Sequence, residues 1–75
     1  MSIAKEIVKN STNLQAMFIA AVMNGRKSEV SPWFDVYTYP SFTFSDGSLI
    51  EFAIEYEESI LSAHAFDNLQ EYSAA

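Results

Sequence analysis

The sequence predicts a small α+β domain in the order N-terminal helix, antiparallel β-hairpin, C-terminal helix. Apolar residues recur at helical spacing near both ends of the chain. Between them lie two runs rich in β-branched and aromatic residues, from 33 to 44 and from 49 to 56, on either side of the turn sequence Ser45-Asp46-Gly47-Ser48. With 75 residues, the chain has the length of one domain, and we expect residues 1–75 to form it.

A helical pattern covers residues 2 to 24. Apolar side chains recur there at spacings of three, four and seven, apart from a polar gap from residue 9 to residue 13. The apolar run from 16 to 23 is shorter than the ~20 residues of a membrane-spanning helix, and Glu6 and Gln15 do not fit a signal peptide. We therefore predict a helix of a globular domain. Its apolar positions are Ile3, Ile7, Leu14, Phe18, Ala21 and Val22.

The ends of this helical segment have recognisable capping residues. Ser2 is the predicted N-cap. Thr12, with Gln15 three residues later, matches a capping box, so the segment is either one rod or a short helix followed by a longer one. Gly25 is predicted to end the segment in the left-handed C-cap conformation.

The register of the hairpin follows from parity. A two-residue loop at Asp46-Gly47 places Phe42 opposite Glu51, which mixes apolar and charged side chains on each face. A three-residue loop with a left-handed Gly47 instead pairs Phe42 with Ile50. The expected core face then consists of Val36, Phe42, Phe44, Ile50, Phe52, Ile54 and Tyr56. The opposite face carries Asp35, Tyr37, Tyr39, Ser41, Thr43, Glu51, Ala53, Glu55 and Glu57.

The C-terminal segment is predicted to be an amphipathic helix of about three to four turns. Carboxylates from residue 57 onward suit the first turn of a helix, where the dipole favours negative charge. Apolar side chains follow at spacings of four, four and three, at Leu61, Ala65, Leu69 and Tyr72. Residues 50 to 61 also fit helical spacing, and their assignment as a strand depends on the turn that precedes them.

Charge is distributed unevenly along the chain. All four basic residues lie within the first 27 positions together with one acid, Glu6, so that part carries +3. From Ser28 onward there are nine acids and no base, which gives −9. Such a field repels nucleic acid and membrane surfaces and attracts basic protein surfaces. The simpler interpretation is that the acids keep a small domain soluble.

Tyrosines share a face of the predicted hairpin with these acids. Trp33, Tyr37 and Tyr39 have the same parity, and tyrosine is enriched at binding patches. Alternatively, the aromatic rings are buried because the first and last helices sandwich the hairpin or because two chains pack face to face. If the face is exposed, the predicted partner-binding residues are Asp35, Tyr37, Tyr39, Glu51, Glu55, Glu57 and Glu58.

Sequence signals for catalysis are weak. His64 is the only histidine, which leaves little basis for a triad or a histidine metal site, and we expect it on a helix, at the boundary between core and surface. The two glycines are isolated, so no phosphate-binding loop is present. We expect no enzyme, no catalytic residue, no metal and no cofactor. The chain also has no cysteine, which fits a reducing compartment, and we predict a cytoplasmic protein.

The segment YTYPSFTFSDGSLIEF, from residue 37 to residue 52, lies between a predicted N-terminal helix and a predicted acidic C-terminal helix. This arrangement resembles that of anti-CRISPR proteins, small phage-encoded inhibitors of bacterial defence complexes. The resemblance implies a DNA mimic that acts in the host cytoplasm and occupies a nucleic-acid channel with carboxylates in place of phosphates. Its partner would be a basic nucleic-acid-binding protein, without direct contact to nucleic acid or membrane. The alternative is a structural or accessory protein that forms a homodimer through its aromatic hairpin face.

Overall fold

The computed structural model describes residues 1–28 and 36–75, and in this part of the chain it has three helices and five strands. The helices are α1 (Ile3–Asn10), α2 (Leu14–Asn24) and α3 (Leu69–Ala74). The strands are β1 (Arg26–Lys27), β2 (Tyr37–Thr38), β3 (Ser41–Thr43), β4 (Leu49–Glu55) and β5 (Ser59–Phe66). The predicted α+β class, with helices at both ends and antiparallel strands between them, is confirmed.

The N-terminal helical segment is divided into two helices at the polar gap. Ser2 caps α1 as predicted, because its hydroxyl accepts a backbone N–H of the first turn. The cap of α2 is Asn13, whose side-chain oxygen accepts the N–H of Ala16 at 2.8 Å. The predicted capping box at Thr12 and Gln15 is therefore wrong by one residue. The prediction of a short helix followed by a longer one is correct.

Gly25 ends α2, but not in the predicted conformation. Its φ is −116°, which is extended backbone, so the left-handed C-cap is wrong. Close approach is what requires a glycine there. A Cβ atom at this position would lie 2.9 Å from Cε1 of Phe44 and 3.0 Å from the carbonyl oxygen of Ala21. The chain therefore passes tightly against the core as it leaves α2 and enters β1.

The loop between β3 and β4 has the predicted length and conformation. Phe42 lies opposite Ile50, and the N–H of Phe44 donates to the carbonyl of Ser48 at 2.9 Å. Gly47 has a φ of +85°, the left-handed conformation that the three-residue loop needs. The parity argument for the hairpin is confirmed.

The same register continues along the whole hairpin. Tyr37 of β2 lies opposite Glu55 of β4, at the sequence offset that also pairs β3 with β4. Between β2 and β3, the carbonyl of Pro40 accepts the N–H of Phe52 at 3.0 Å. Pro40 has no N–H to donate back to the carbonyl of Phe52, so the ladder is interrupted there and β2 and β3 are separate strands. Residues 37 to 43 together form the first arm of the hairpin, and β4 forms the second.

Residues 59 to 66 form β5, although the sequence predicted a helix for this stretch, and only Leu69–Ala74 is helical. A bulge in β5 explains the error. Ala53 lies opposite Ser62 whereas Ile54 lies opposite Ile60, so Leu61 is an extra residue. The extra residue shifts the alternation of apolar side chains by one position. The period of two that indicates a strand is therefore lost from the sequence.

β4 is the central strand of the sheet. β2 and β3 pair with one of its edges, β5 pairs with the other, and β1 pairs with β3. Helices α1 and α2 pack on one face, where the rings of Phe18, Phe42 and Phe52 meet edge to face with centroids 5.1 to 5.8 Å apart. Ala4 and Ala21 are fully buried, which lets both helices lie close to the sheet.

The predicted core face is only partly correct. Phe42, Phe44, Ile50 and Phe52 are buried, and Ile54 packs against them. Val36 and Tyr56 are exposed instead, with 44% and 66% of their surface accessible. Val36 precedes β2, and Tyr56 lies in the β4–β5 turn with a φ of 51°, so neither follows the alternation of a strand.

The hairpin loop also caps α1. Each of the first three backbone N–H groups of this helix donates to a side-chain oxygen, so three of its unpaired donors are satisfied. The pairs are Ile3 with Asp46 at 2.9 Å, Ala4 with Ser48 at 3.1 Å and Lys5 with Ser2 at 3.2 Å. Two of these acceptors lie more than 40 residues away in sequence. The turn therefore fixes where α1 begins.

Hydrogen bonds within the loop orient these acceptors. Asp46 accepts from both the N–H and the hydroxyl of Ser48. The Ser48 hydroxyl, followed by the backbone N–H of Ile3, holds the pKa of Asp46 below its usual value. Ser48 itself is fully buried.

α2 carries no charged residue and is the longest helix in the two described stretches, with 11 residues. A bilayer-spanning helix needs ~20. None of the helices in residues 1–28 and 36–75 is long and apolar enough to cross a membrane.

Candidate binding face

The two faces of the sheet differ in what covers them. α1 and α2 pack on the face that contains Phe42 and Phe52. Alternate residues of the strands point to the other side, which we call the outer face. Strand alternation and the pairing register assign to it Arg26, Tyr37, Tyr39, Ser41, Thr43, Leu49, Glu51, Ala53, Glu55, Ser59, Ser62, His64 and Phe66.

α3 closes one end of the outer face. Leu49 is almost fully buried although it points away from the main core, and Phe66 of β5 lies directly opposite it. The ring of Phe66 meets that of Tyr72 edge to face, with centroids 5.1 Å apart. This small apolar cluster anchors α3 to the sheet. The other end of the outer face has no such helix over it among the described residues.

Glu51 lies at the border between the covered and the open part. The hydroxyl of Tyr72 donates to its Oε2 at 2.6 Å. This hydrogen bond raises the pKa of Tyr72, because the carboxylate favours the protonated phenol. On the flanking strands, Ser41 and His64 lie opposite Glu51. Glu51 is thus the centre of a polar row across three strands, with one oxygen held by α3.

Tyr37, Tyr39 and Glu55 form the open end of the face. Tyr37 lies opposite Glu55, and hydrogen bonding to that carboxylate is the main cause of the raised pKa of Tyr37. Tyr39 is near enough to raise the pKa further. Tyr37 and Tyr39 remain 48% and 59% exposed, so their rings are accessible to a partner. The alternative in which the first and last helices sandwich the hairpin holds only for one end of the sheet, because α3 packs beside Phe66 but leaves Tyr37 and Tyr39 exposed.

The two carboxylates are presented as separate charges. Glu51 and Glu55 are four residues apart on β4, which corresponds to about 13 Å along a strand, with Ala53 between them. Among the described basic residues, only Arg26 is assigned to this face by register, and it lies on the edge strand opposite Thr43. The centre of the face therefore carries net negative charge.

The structure brings together four of the predicted partner-binding residues, which are Tyr37, Tyr39, Glu51 and Glu55. Glu57 lies in the exposed turn after β4, with a φ of 59°. Glu58 lies on the other side of the sheet, in a groove beside Leu14 of α2. Asp35 and Trp33 lie outside the described residues.

Sequence reasoning missed two residues of this face, Tyr72 and His64. Both were placed on a predicted helix, whereas His64 lies on β5 and only Tyr72 is helical. An alternation signal exists from Ser62 to Phe66, in which the two alanines face the core. It covers too few residues to outweigh the helical spacing. The contact of Tyr72 with Glu51 joins positions 21 apart and has no local signal.

The chemistry available on the outer face is that of hydrogen-bond acceptors, phenols and one imidazole. Nowhere in the described part of the chain do three histidine, aspartate or glutamate side chains come close enough to hold a metal ion. Glu51 accepts a hydrogen bond from Tyr72, and Glu55 lies opposite Tyr37. Such a face can receive lysine and arginine side chains of a partner.

Comparison with known proteins gives no relative: no family model, no curated protein and no solved structure matches the chain.

Proposed function

We propose that the chain is a small acidic binding protein that inhibits a nucleic-acid-binding protein or complex by occupying its basic surface. The observation that carries the proposal is the pair of carboxylates on the outer face, Glu51, which accepts the hydroxyl of Tyr72, and Glu55, which lies directly opposite Tyr37. A basic surface that normally receives phosphates is complementary to such a face in charge.

Tyrosine contacts support binding as the role of these acids. A carboxylate held by a phenol has fewer orientations to lose when a partner binds, which lowers the entropic cost of association. Two exposed tyrosines beside the acids, Tyr37 and Tyr39, supply the apolar area that isolated charges lack. A surface needed only for solubility requires neither feature.

The spacing of the acids favours contacts with individual basic side chains over imitation of a continuous phosphate backbone. About 13 Å between two carboxylates along one strand exceeds the spacing of charges on a duplex, which carries one for every ~1.7 Å of its axis. The inhibitor would therefore bind at a few lysine or arginine positions. Following the resemblance to anti-CRISPR proteins, we place this action in the cytoplasm of a bacterial host, and the absence of cysteine is compatible with that compartment.

The experiment begins with capture of host proteins on the immobilised chain, followed by titration of the identified partner against wild type and a Glu51→Gln/Glu55→Gln variant. Glutamine keeps the shape of the side chain and removes its charge. We expect the variant to bind at least about tenfold more weakly, equivalent to about 1.4 kcal/mol. Its affinity should also depend less on salt between about 50 and about 500 mM.

The matched control is Glu6→Gln/Glu71→Gln, which removes the same charge away from the open end of the outer face, while Lys5, the ion-pair partner of Glu71, keeps its pair with Asp67. It should bind nearly as tightly as wild type and be displaced equally well by added nucleic acid. Equal losses for both variants would mean that net charge matters and the outer face does not. An unchanged affinity for Glu51→Gln/Glu55→Gln would refute the proposal.

Self-association through the aromatic hairpin face is the alternative function, and the exposure of Tyr37 and Tyr39 is the observation that favours it. The salt dependence of binding distinguishes the inhibitor from the self-associating protein. Screening weakens contacts between carboxylates and basic side chains but not the packing of aromatic rings. A dimer that tightens with salt and is abolished by Tyr37→Ser/Tyr39→Ser would support the alternative.

A further inference from the structure

Among residues 1–28 and 36–75, no element covers one apolar side of α2. Ile19 and Val22 are each 52% exposed, and Met23 is 78% exposed. Their spacing of three and four places them on one stripe of the helix, and none of the 11 residues of α2 is charged. A helix that is apolar on all sides is normally buried on all sides. Within the described stretches, only the inner side, with Phe18 and Ala21, is covered by the sheet.

A groove runs along each flank of this stripe. One lies between α1 and α2, has a volume of about 320 Å³ and includes Ile7 and Ala20 in its lining. The other lies between α2 and the start of β5, has a volume of about 380 Å³ and includes Leu14 and Ile60. A ridge of exposed side chains between two grooves is the shape that packs against a copy of itself, ridge into groove.

Charges of opposite sign lie at the two ends of α2. Glu58 lines the groove beside Leu14, at the start of the helix. Lys27 follows the end of the helix by three residues. Because it lies opposite Phe42 in the sheet, its side chain is on the helix side. No ion pair within residues 1–28 and 36–75 involves either residue, whereas Lys5 pairs with two acids.

We propose that the chain forms a twofold dimer in which α2 packs antiparallel against α2 of a second copy. The antiparallel arrangement brings Glu58 of each copy towards Lys27 of the other, so both ends of the interface receive opposite charges. A twofold axis repeats this pair, and it also opposes the two helix dipoles. A partner of unrelated sequence would not require charges of opposite sign at the two ends of α2, whereas an antiparallel second copy does. This interface is distinct from the aromatic hairpin face, which lies on the opposite side of the sheet.

Sedimentation velocity from about 1 µM to about 1 mM tests the dimer directly. Wild type should pass from the 8.4 kDa mass of the chain to twice that mass as concentration rises. Ile19→Gln/Met23→Gln, which preserves helix propensity, should raise the dissociation constant by at least about tenfold. Leu69→Gln is the control, because Leu69 is 64% exposed on a different helix. It should dimerise like wild type.

A charge exchange tests the antiparallel geometry. Glu58→Lys and Lys27→Glu should each weaken the homodimer, by roughly fivefold at low salt, because each places like charges at both ends. A mixture of the two variants should recover dimerisation, since the mixed pair restores opposite charges at both ends. High salt should reduce these differences. Circular dichroism of each variant checks that the fold is retained.

Three results would overturn the proposal. Wild type that stays at the monomer mass up to about 1 mM has no dimer of useful affinity. Equal weakening by Leu69→Gln and by Ile19→Gln/Met23→Gln places the association elsewhere. A mixture of the two charge variants that dimerises no better than either alone excludes the antiparallel arrangement.

Discussion

Replacing Ser48 with alanine should destabilise the domain more than its position in a turn suggests. Ser48 is fully buried, and its hydroxyl accepts the N–H of Ala4, which is also fully buried, at 3.1 Å. Ser48→Ala leaves that N–H without an acceptor in a place that water does not reach. An unsatisfied buried donor costs about 1 to 3 kcal/mol. We therefore expect a loss of about 2 kcal/mol in the free energy of unfolding.

The assay is urea unfolding followed by far-ultraviolet circular dichroism, supported by thermal melts. For a domain of this size, 2 kcal/mol lowers the melting temperature by roughly 8 to 16 °C. Ser45→Ala is the matched control, because Ser45 is an exposed serine of the same loop. If Ser48→Ala costs no more than Ser45→Ala, the loop does not cap α1 in solution.

The hydrogen bonds that Asp46 accepts in this loop make the stability of the domain depend on pH. The pKa of Asp46 in the folded protein lies below the usual value of 3.8, chiefly because it accepts the hydroxyl of Ser48. The folded state therefore favours the carboxylate. The resulting stabilisation is fully present above pH 3.8 and is lost as the pH falls through the lower, folded-state pKa. The stability difference between wild type and Asp46→Asn should shrink over that acidic range, and a difference that grows there would contradict the assignment.

Three further substitutions test the fold. Gly25→Ala should destabilise by about 1 to 3 kcal/mol in urea unfolding, because its Cβ would lie 2.9 Å from a core phenylalanine ring; an unchanged midpoint would mean that the core has room. Tyr56→Asn with Glu57→Gly should stabilise by about 1 to 2 kcal/mol, since both residues have positive φ and Asn-Gly suits such a turn. Phe52→Ala should cost about 3 to 5 kcal/mol and Tyr37→Ala much less, because Phe52 is fully buried and Tyr37 is 48% exposed; equal losses would indicate a covered outer face.

Local chemistry explains which parts of the fold could be predicted. A glycine with positive φ permits only some loop lengths, and the requirement that Phe42 and Ile50 share a face selects one of them. Ser2 as the cap of α1 and the break between the two N-terminal helices depend on neighbouring residues as well. Each of these features is determined within a few positions of the chain.

The failures share a different cause, which is tertiary contact. β5 is a strand because its edge pairs with β4, while the bulge at Leu61 removes the alternation that indicates a strand. Gly25 is needed because Phe44 approaches it in space, and the sequence suggested a conformational reason instead. The contact of Tyr72 with Glu51 likewise depends on where α3 docks. Parity within the hairpin was enough to gather Tyr37, Glu51 and Glu55, but not to place Glu58.

The two proposed surfaces are compatible because the sheet separates them. α2 packs on one side of β4, and the outer face with Glu51 and Glu55 lies on the other. A dimer through α2 therefore points two acidic outer faces in opposite directions. Such a dimer can bridge two basic sites on one large complex or on two molecules, and the second contact is strengthened by its high effective concentration. Ile19→Gln/Met23→Gln would then weaken inhibition of a partner with two sites while leaving the affinity for a single site unchanged, which separates the contribution of the dimer from that of the face.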